Sequence, residues 1–381
     1  MYLKLFLSFL SLIASALPSL WPYLVIRNDK ILIATIALYS VLSAAMAFST
    51  CTLTDSIGRH IANNERGVFN IGGALLIFIV GFMAAITLNY KSSAHTYIAA
   101  TCLMGMSAVI NSISEGVAKG VGKYTIHQFN IILSGLLFLL VSYGLLKLEV
   151  IDDYLILIAL SRAFGLIVAF IFFFPLLLRN LNSRIKISVK IDSAHSFTAM
   201  SIVGYINLII ERFFVSKIAI EADQNLGKLI LATYQSISVM SGARGYIFSN
   251  YVKLATTQID KYFDITKRIS YKFSIASIIL IPIGAIILLK GDKEYFKIDG
   301  QYIFIMFFMV LSFVIDVFSS KFGIFYTYNK KDKINLVCEV IGAFVMIFTY
   351  FSFSISYEVL IIFVFIRGVQ YLVRRVSFHY A

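Results

Sequence analysis

Glu211 and Arg212 lie side by side in the middle of INLIIERFFVSKIAI, Ile206–Ile220, a run otherwise apolar enough to cross a bilayer. Three more arginines, Arg162, Arg244 and Arg367, and a second acid, Asp316, fall inside other long apolar runs. Glu339 and Lys321 fall closer to span ends, where a lysine stem can snorkel to the interface. Charged groups at such depth offer ion pairing, proton or Na⁺ exchange at a carboxylate, and anion capture by guanidinium, whose rigid fork suits phosphate. Other chemistries lack their residues. The five histidines are scattered without an HExxH spacing, and Cys51, Cys102 and Cys338 sit in apolar runs without a CxxC pair. No metal site and no cofactor are expected, and the cysteines read as small packing residues. GVAKGVGK, Gly116–Lys123, has five residues between Gly116 and Gly122 where a phosphate loop has four, and Tyr124 stands where that loop needs Ser or Thr. It reads as a glycine-rich turn. No nucleophile–base constellation stands out, so an enzyme is not expected.

The elements that carry these charges are membrane spans. The chain has 381 residues, 59% hydrophobic and 14% charged, far from the near-half and one-quarter of soluble domains. Twelve apolar runs are long enough for a ~30 Å hydrocarbon layer. They are centred on 3–26, 31–54, 68–88, 96–113, 130–146, 155–178, 197–220, 229–252, 269–289, 301–325, 334–353 and 357–371. The first follows Lys4 like a signal peptide, but it continues past IASA to Ile26 and reads as an uncleaved span. With the N-terminus in the cytoplasm, 19 of the Lys and Arg residues fall on the inner side and nine on the outer. That asymmetry is the positive-inside rule with both termini cytoplasmic. It accounts for most of the +13 net charge without nucleic acid. The outer loops are too short to hold a soluble domain, so function must reside within the bilayer.

The chain also carries a repeat. LIATIALYSVLSAA at Leu32–Ala45 matches ILATYQSISVMSGA at Ile230–Ala243 in Ala34/Ala232, Thr35/Thr233, Ser40/Ser238, Val41/Val239, Ser43/Ser241 and Ala45/Ala243. The same 198-residue offset maps span 1 onto span 7 and span 3 onto span 9. The expected fold is all-α and polytopic, with about twelve transmembrane helices in two six-helix lobes. Residues 1–178 form the first lobe, 179–195 a basic cytoplasmic linker, and 196–381 the second. Lobes of six spans share one orientation and enclose a cleft between them. A central charge costs roughly 2.5–3.5 kcal/mol on insertion scales, so six facing lipid would cost about 15–20 kcal/mol, as much as a whole fold provides. The charges therefore pair or line water. Adjacent residues of a helix point about 100° apart, so Arg212 can face the cleft while Glu211 reaches a neighbouring helix. Four arginines against two acids leave a cationic excess, which implies an anionic substrate.

Three stretches resemble a known family. TDSIGRHIANNERG, Thr54–Gly67, is similar to a cytoplasmic segment after its second span. SISEGVAKGVGKYTIHQFNI, Ser112–Ile131, is similar to its connection between spans 4 and 5. INLIIERFF, Ile206–Phe214, is similar to its seventh span, which often holds a central charge. The family is the bacterial polysaccharide (O-antigen repeat-unit) flippases of the multidrug/oligosaccharidyl-lipid/polysaccharide exporter superfamily. The chain is short for that family, with a curtailed first span and no extra C-terminal helices. The resemblance implies a protein of the bacterial inner membrane that moves an undecaprenyl-pyrophosphate-linked oligosaccharide from the cytoplasmic to the periplasmic leaflet by alternating access. Arg212, Arg244 and Arg367 would hold the head group, with Arg162 receiving it nearer the exit. Glu211 and Asp316 would be candidates for a coupling proton or Na⁺. Implied partners are the lipid-linked oligosaccharide, membrane lipids, a polysaccharide polymerase and a chain-length regulator.

Rival classes are weaker. A polysaccharide polymerase or lipid-dependent glycosyltransferase usually presents catalytic residues on a sizeable outer loop, and the longest here, about 290–300, is small. Another exporter of the superfamily that takes cationic drugs would need an acidic lumen. A structural scaffold in a polysaccharide-assembly complex is the plainest alternative.

Overall fold

The computed structural model describes residues 2–62, 68–70, 94–149, 151, 153–179, 186–188, 195–289, 300–329, 331–352 and 360–379. Eleven long helices and one short one follow in order. They are α1 (Tyr2–Val25), α2 (Asp29–Ala62), α3 (Ala94–Val121), α4 (Tyr124–Lys147), α5 (Tyr154–Leu178), α6 (His195–Glu221), α7 (Gln224–Ser249), α8 (Val252–Thr257), α9 (Ile259–Leu288), α10 (Gly300–Tyr328), α11 (Asp332–Ser352) and α12 (Leu360–His379). Most of the third expected span, 68–88, lies outside the described residues, from 71 onward. Its first three, Val68–Asn70, form a short strand, β1, paired in parallel with β2, Lys186–Ser188. This corrects the expected start of that span. It also ties the connection after α2 to the segment between α5 and α6.

Helix starts follow side-chain caps. Asn28 Oδ1 accepts from the Lys30 and Ile31 amides at 3.0 and 3.2 Å. Asp153 Oδ1 accepts from Leu155 N at 2.8 Å, and Asp223 Oδ1 from Leu226 N at 2.9 Å. These short oxygens take up amides that a first helical turn leaves unpaired. All four prolines, Pro18, Pro22, Pro175 and Pro282, lie inside helices, as membrane helices tolerate. Among the described residues, five helices are long and apolar enough to span a bilayer on length and composition alone. Large apolar side chains such as Phe9, Leu140, Phe172, Ile287 and Phe344 cover the outside, the surface expected of a chain solvated by lipid.

The glycine-rich stretch is not a turn, contrary to the sequence reading. α3 runs on to Val121, and Gly116 and Gly120, one turn apart, sit against Ile57 and Ile61 of α2 so closely that a β-carbon at either would collide. Small residues four apart let two membrane helices approach backbone to backbone. The turn is only Gly122–Lys123. Gly122 has φ +71, and Lys123 N bonds Ala118 O at 3.0 Å, which closes α3 in a Schellman cap.

Within the first expected lobe α3 packs on α2 and α5, and α4 on α5 and α1; within the second α12 packs on α10 and α11, and α6 on α11. Across the boundary, α2 lies on α6 and α1 on α7. The 198-residue offset exchanges these two contacts, so the repeat seen in the sequence is also a symmetry of the interface. One end of the interface is closed by apolar packing of Tyr23, Ile26, Leu32 and Ile36 on Phe214, Val215 and Ile218. Beyond it, Asp29 at the start of α2 is ion-paired to Lys228 and accepts from Gln224 Nε2 at 2.8 Å.

Candidate functional site: a charged cavity in the second lobe

A cavity of about 710 Å³ opens among α6, α7, α10, α11 and α12. Its lining holds five cations, Lys119, Arg212, Arg244, Arg367 and Arg374, against three carboxylates, Glu211, Asp316 and Glu339. Lys119 is the one lining residue from the first lobe among the described residues. The expected cleft between lobes is therefore, in this structure, a cavity inside the second bundle. Apart from Lys119, its charged side chains come from second-lobe helices, at positions that have no charged residue at the repeat offset in the first. At the repeat offset, Glu211, Arg212 and Arg244 correspond to Ile13, Ala14 and Met46.

The adjacent pair on α6 separates as helix geometry requires. Glu211 Oε2 accepts from Arg367 Nη2 of α12 at 2.7 Å, and Glu211 Oε1 from the Tyr234 hydroxyl of α7 at 3.4 Å. Arg212 points the other way, to α2, where its Nη1 donates to the Ser40 carbonyl at 3.0 Å and the Ser43 hydroxyl at 2.9 Å. Arg244 of α7 is paired with Asp316 of α10, and its Nη2 donates to Ser241 Oγ at 3.1 Å. Asp316 Oδ1 lies 4.0 Å from Arg367 Nη1. Arg244, Asp316, Arg367 and Glu211 thus form a chain of alternating charge across four helices, in which each central charge has an opposite neighbour.

A second network continues along α12. Arg374 is 8% exposed and spends all three nitrogens. Nε donates to Asn335 Oδ1 at 3.0 Å, Nη1 to Ser319 Oγ at 2.9 Å and Nη2 to Glu339 Oε1 at 3.0 Å. Asn207 of α6 donates to Glu339 Oε2 at 2.9 Å. From sequence, Arg374 reads as part of a basic pair closing the last span. Its helical signal was the polar stripe Arg367, Gln370, Arg374 at i, i+3, i+7.

Arg162 stands apart from the cavity. On α5 it donates to the Tyr39 hydroxyl of α2 at 2.7 Å. α2 is therefore gripped over Tyr39–Ser43 by one arginine from each lobe. Of the four sequence-selected arginines, Arg244 and Arg367 meet carboxylates, and Arg162 and Arg212 meet neutral oxygens of α2. Arg212 alone does this while also lining the cavity.

No protein-family model matches the chain, and no curated protein matches it. Its fold is that of solved MATE transporters. The outward-facing conformation of a multidrug resistance MATE family transporter of the MOP superfamily superposes with TM-score 0.65 at 14% identity, over 98% of this chain and 92% of that one. A MATE structure in the bent conformation gives 0.63 at 13%, over 97% and 93%. The inward-facing conformation of a multidrug resistance MATE family transporter of that superfamily gives 0.58 at 14%, over 96% and 94%. The all-helical, two-lobe, twelve-span architecture is thereby established, and with it a protein that crosses the membrane many times.

Proposed function

We propose that this chain is a flippase for a lipid-linked oligosaccharide. It would carry an undecaprenyl-pyrophosphate-linked repeat unit from the cytoplasmic to the periplasmic leaflet of the bacterial inner membrane by alternating access. The observation that carries this reading is the excess of cations in a cavity of about 710 Å³, within a fold recorded in both outward- and inward-facing states. A lining that exceeds neutrality by two cations favours an anionic head group, and guanidinium is the donor best shaped for pyrophosphate. The two lobes, divided at 179–195, would rock about the cavity with both termini cytoplasmic. The Asp29 end is then the outer gate, closed here. An interior-negative potential favours outward movement of each negative charge by about 2.3 kcal/mol per 100 mV.

In this scheme Arg212 is the guanidinium most available to the head group, because no carboxylate holds it. Arg244 and Arg367 contribute once Asp316 and Glu211 are neutralised by a proton or Na⁺, which gives those acids a coupling role. Arg162 shapes α2 and meets the substrate only after the lobes rearrange. Export of cationic drugs is the second reading, favoured by the multidrug resistance transporters that share the fold and opposed by the sign of the lining.

Deleting the gene should make lipid-linked repeat units accumulate in the cytoplasmic leaflet and abolish surface polysaccharide. Purified protein in proteoliposomes should move a pyrophosphate-linked oligosaccharide between leaflets. Normal surface polysaccharide in the deletion strain, with ethidium efflux lost, would replace this reading with the drug-export one.

A further inference from the structure

We infer that Arg212 is a substrate-released latch between the lobes: the guanidinium that receives the pyrophosphate is the one that now holds α2. The inference rests on the flippase reading. Arg212 belongs to α6 and to the cavity lining, yet both contacts that its Nη1 makes are to α2 of the other lobe, at Ser40 O and Ser43 Oγ. Its Nε is buried and has no hydrogen-bond partner among the described residues. A guanidinium can offer an oxyanion a paired donor edge either end-on, through both Nη atoms, or side-on, through Nε and one Nη. End-on, Nη1 is already spent on α2. Side-on, Nε is covered. Two-point capture of a phosphate therefore requires the guanidinium to leave α2, and the anion and α2 compete for one group.

The position of this contact gives the competition a mechanical result. The seam of α2 with α6 and the start of α7 has three parts in line: Asp29 with Lys228 and Gln224 of α7 at the outer end, the apolar packing around Leu32 and Ile218, and Arg212 on Ser40 and Ser43 at the deep end. The deep end is the one that borders the cavity. Substrate arriving there removes the innermost part of the seam and favours separation at the outer end. A buried N–H left unpaired already disfavours the latched state, so the closed gate is poised for release. By linkage, whatever loosens the latch must also strengthen anion binding.

The test uses the full chain in lipid nanodiscs with Cys51, Cys102 and Cys338 replaced by Ala. Spin labels are placed through Arg27→Cys and Glu221→Cys, exposed positions at the outer ends of the two lobes. The probes are undecaprenyl pyrophosphate and, as the uncharged control, undecaprenol. In the otherwise unaltered chain the pyrophosphate should lengthen the inter-label distance and undecaprenol should not. Ser43→Ala, which deletes one acceptor, should show the longer distance without ligand and bind undecaprenyl pyrophosphate roughly two- to tenfold more tightly, the factor expected for one competing hydrogen bond. Arg212→Lys keeps the charge but not the two-acceptor contact, so it should also be partly open while still binding. Arg212→Ala should be open and unresponsive. If the unaltered chain binds pyrophosphate through Arg212 but Ser43→Ala binds no more tightly and Arg212→Lys stays closed, the latch is wrong and the binding site stands. If the unaltered chain does not bind undecaprenyl pyrophosphate, the flippase reading falls and the latch with it. A response to undecaprenol equal to that of the pyrophosphate also overturns it.

Discussion

Glu211 Oε2 sits 2.7 Å from Arg367 Nη2 and thereby joins α6 to α12 at membrane depth. Neither residue stands in the other's sequence neighbourhood, and each alone would be a charge stranded in an apolar helix. Their meeting means that the cavity wall is held by opposite charges rather than by apolar packing alone.

Removing one partner should therefore cost more than removing both. Glu211→Ala is expected to lower stability by roughly 1–3 kcal/mol, less than the 3–5 of a fully buried pair. The reduction follows because Arg367 and Glu211 retain 23% and 17% side-chain exposure beside the cavity. Adding Arg367→Ala to that variant should restore part of the loss. Thermal unfolding in detergent measures the two single variants and the double, and a double-variant loss equal to the sum of the two single losses would show that the pair does not couple.

Arg374 should be the most sensitive of the charged residues to conservative change. Its three nitrogens reach three side chains on two helices, Asn335 and Glu339 of α11 and Ser319 of α10, and an ammonium cannot serve three directions from one point. Arg374→Lys is expected to destabilise nearly as much as Arg374→Ala, and both should reduce the yield of monodisperse protein on size-exclusion chromatography. Full recovery with Lys would contradict the geometry.

Function should separate the two arginines that hold α2. Arg212→Ala is predicted to leave inserted protein at normal levels and to stop surface polysaccharide, with partial recovery in Arg212→Lys. Arg162→Ala, whose group donates to Tyr39 outside the cavity, should reduce polysaccharide much less. Immunoblots of membranes with polysaccharide staining read both, and the reverse ranking would relocate the site to the first lobe.

The spans and the isolated charges were legible in the sequence for one energetic reason. A charge in an apolar run is conspicuous because inserting it is costly. What each charge meets was not legible, because pairing depends on helix rotation and on neighbours 72 to 172 residues away. Four arginines against two acids suggested a cationic excess, and all four arginines were expected to meet the substrate. The structure pairs Arg244 and Arg367 and leaves Arg212 without a carboxylate. The repeat foretold two lobes but could not say that the second carries most of the cavity's charge, since Ile13, Ala14 and Met46 are silent until aligned with Glu211, Arg212 and Arg244. The glycines of α3 misled because Gly116 and Gly120 look like turn residues, whereas close approach to α2 is what requires them.

That close approach is itself open to test. Gly120→Val would drive a branched side chain into Ile61. Overpacking of this kind costs typically 1–3 kcal/mol, so folded yield should fall. Gly144→Val, at a position with nothing nearby, should be tolerated. Equal yields would mean that the two helices are not pressed together.

The backbone contact of α2 with α3 has a mechanical meaning. With the Ile57 and Ile61 side chains seated directly on the glycine backbone of α3, the two helices have little room to slide or roll separately, so they act as one lever. One arm of the lever carries Ser40 and Ser43, where Arg212 holds on. The other carries Lys119, bridged to Glu115 at 2.9 Å and the first lobe's sole described contribution to the cavity wall. A small tilt that frees the first arm must shift the second, so the Lys119 ammonium at the cavity wall is geared to the Arg212 contact on α2.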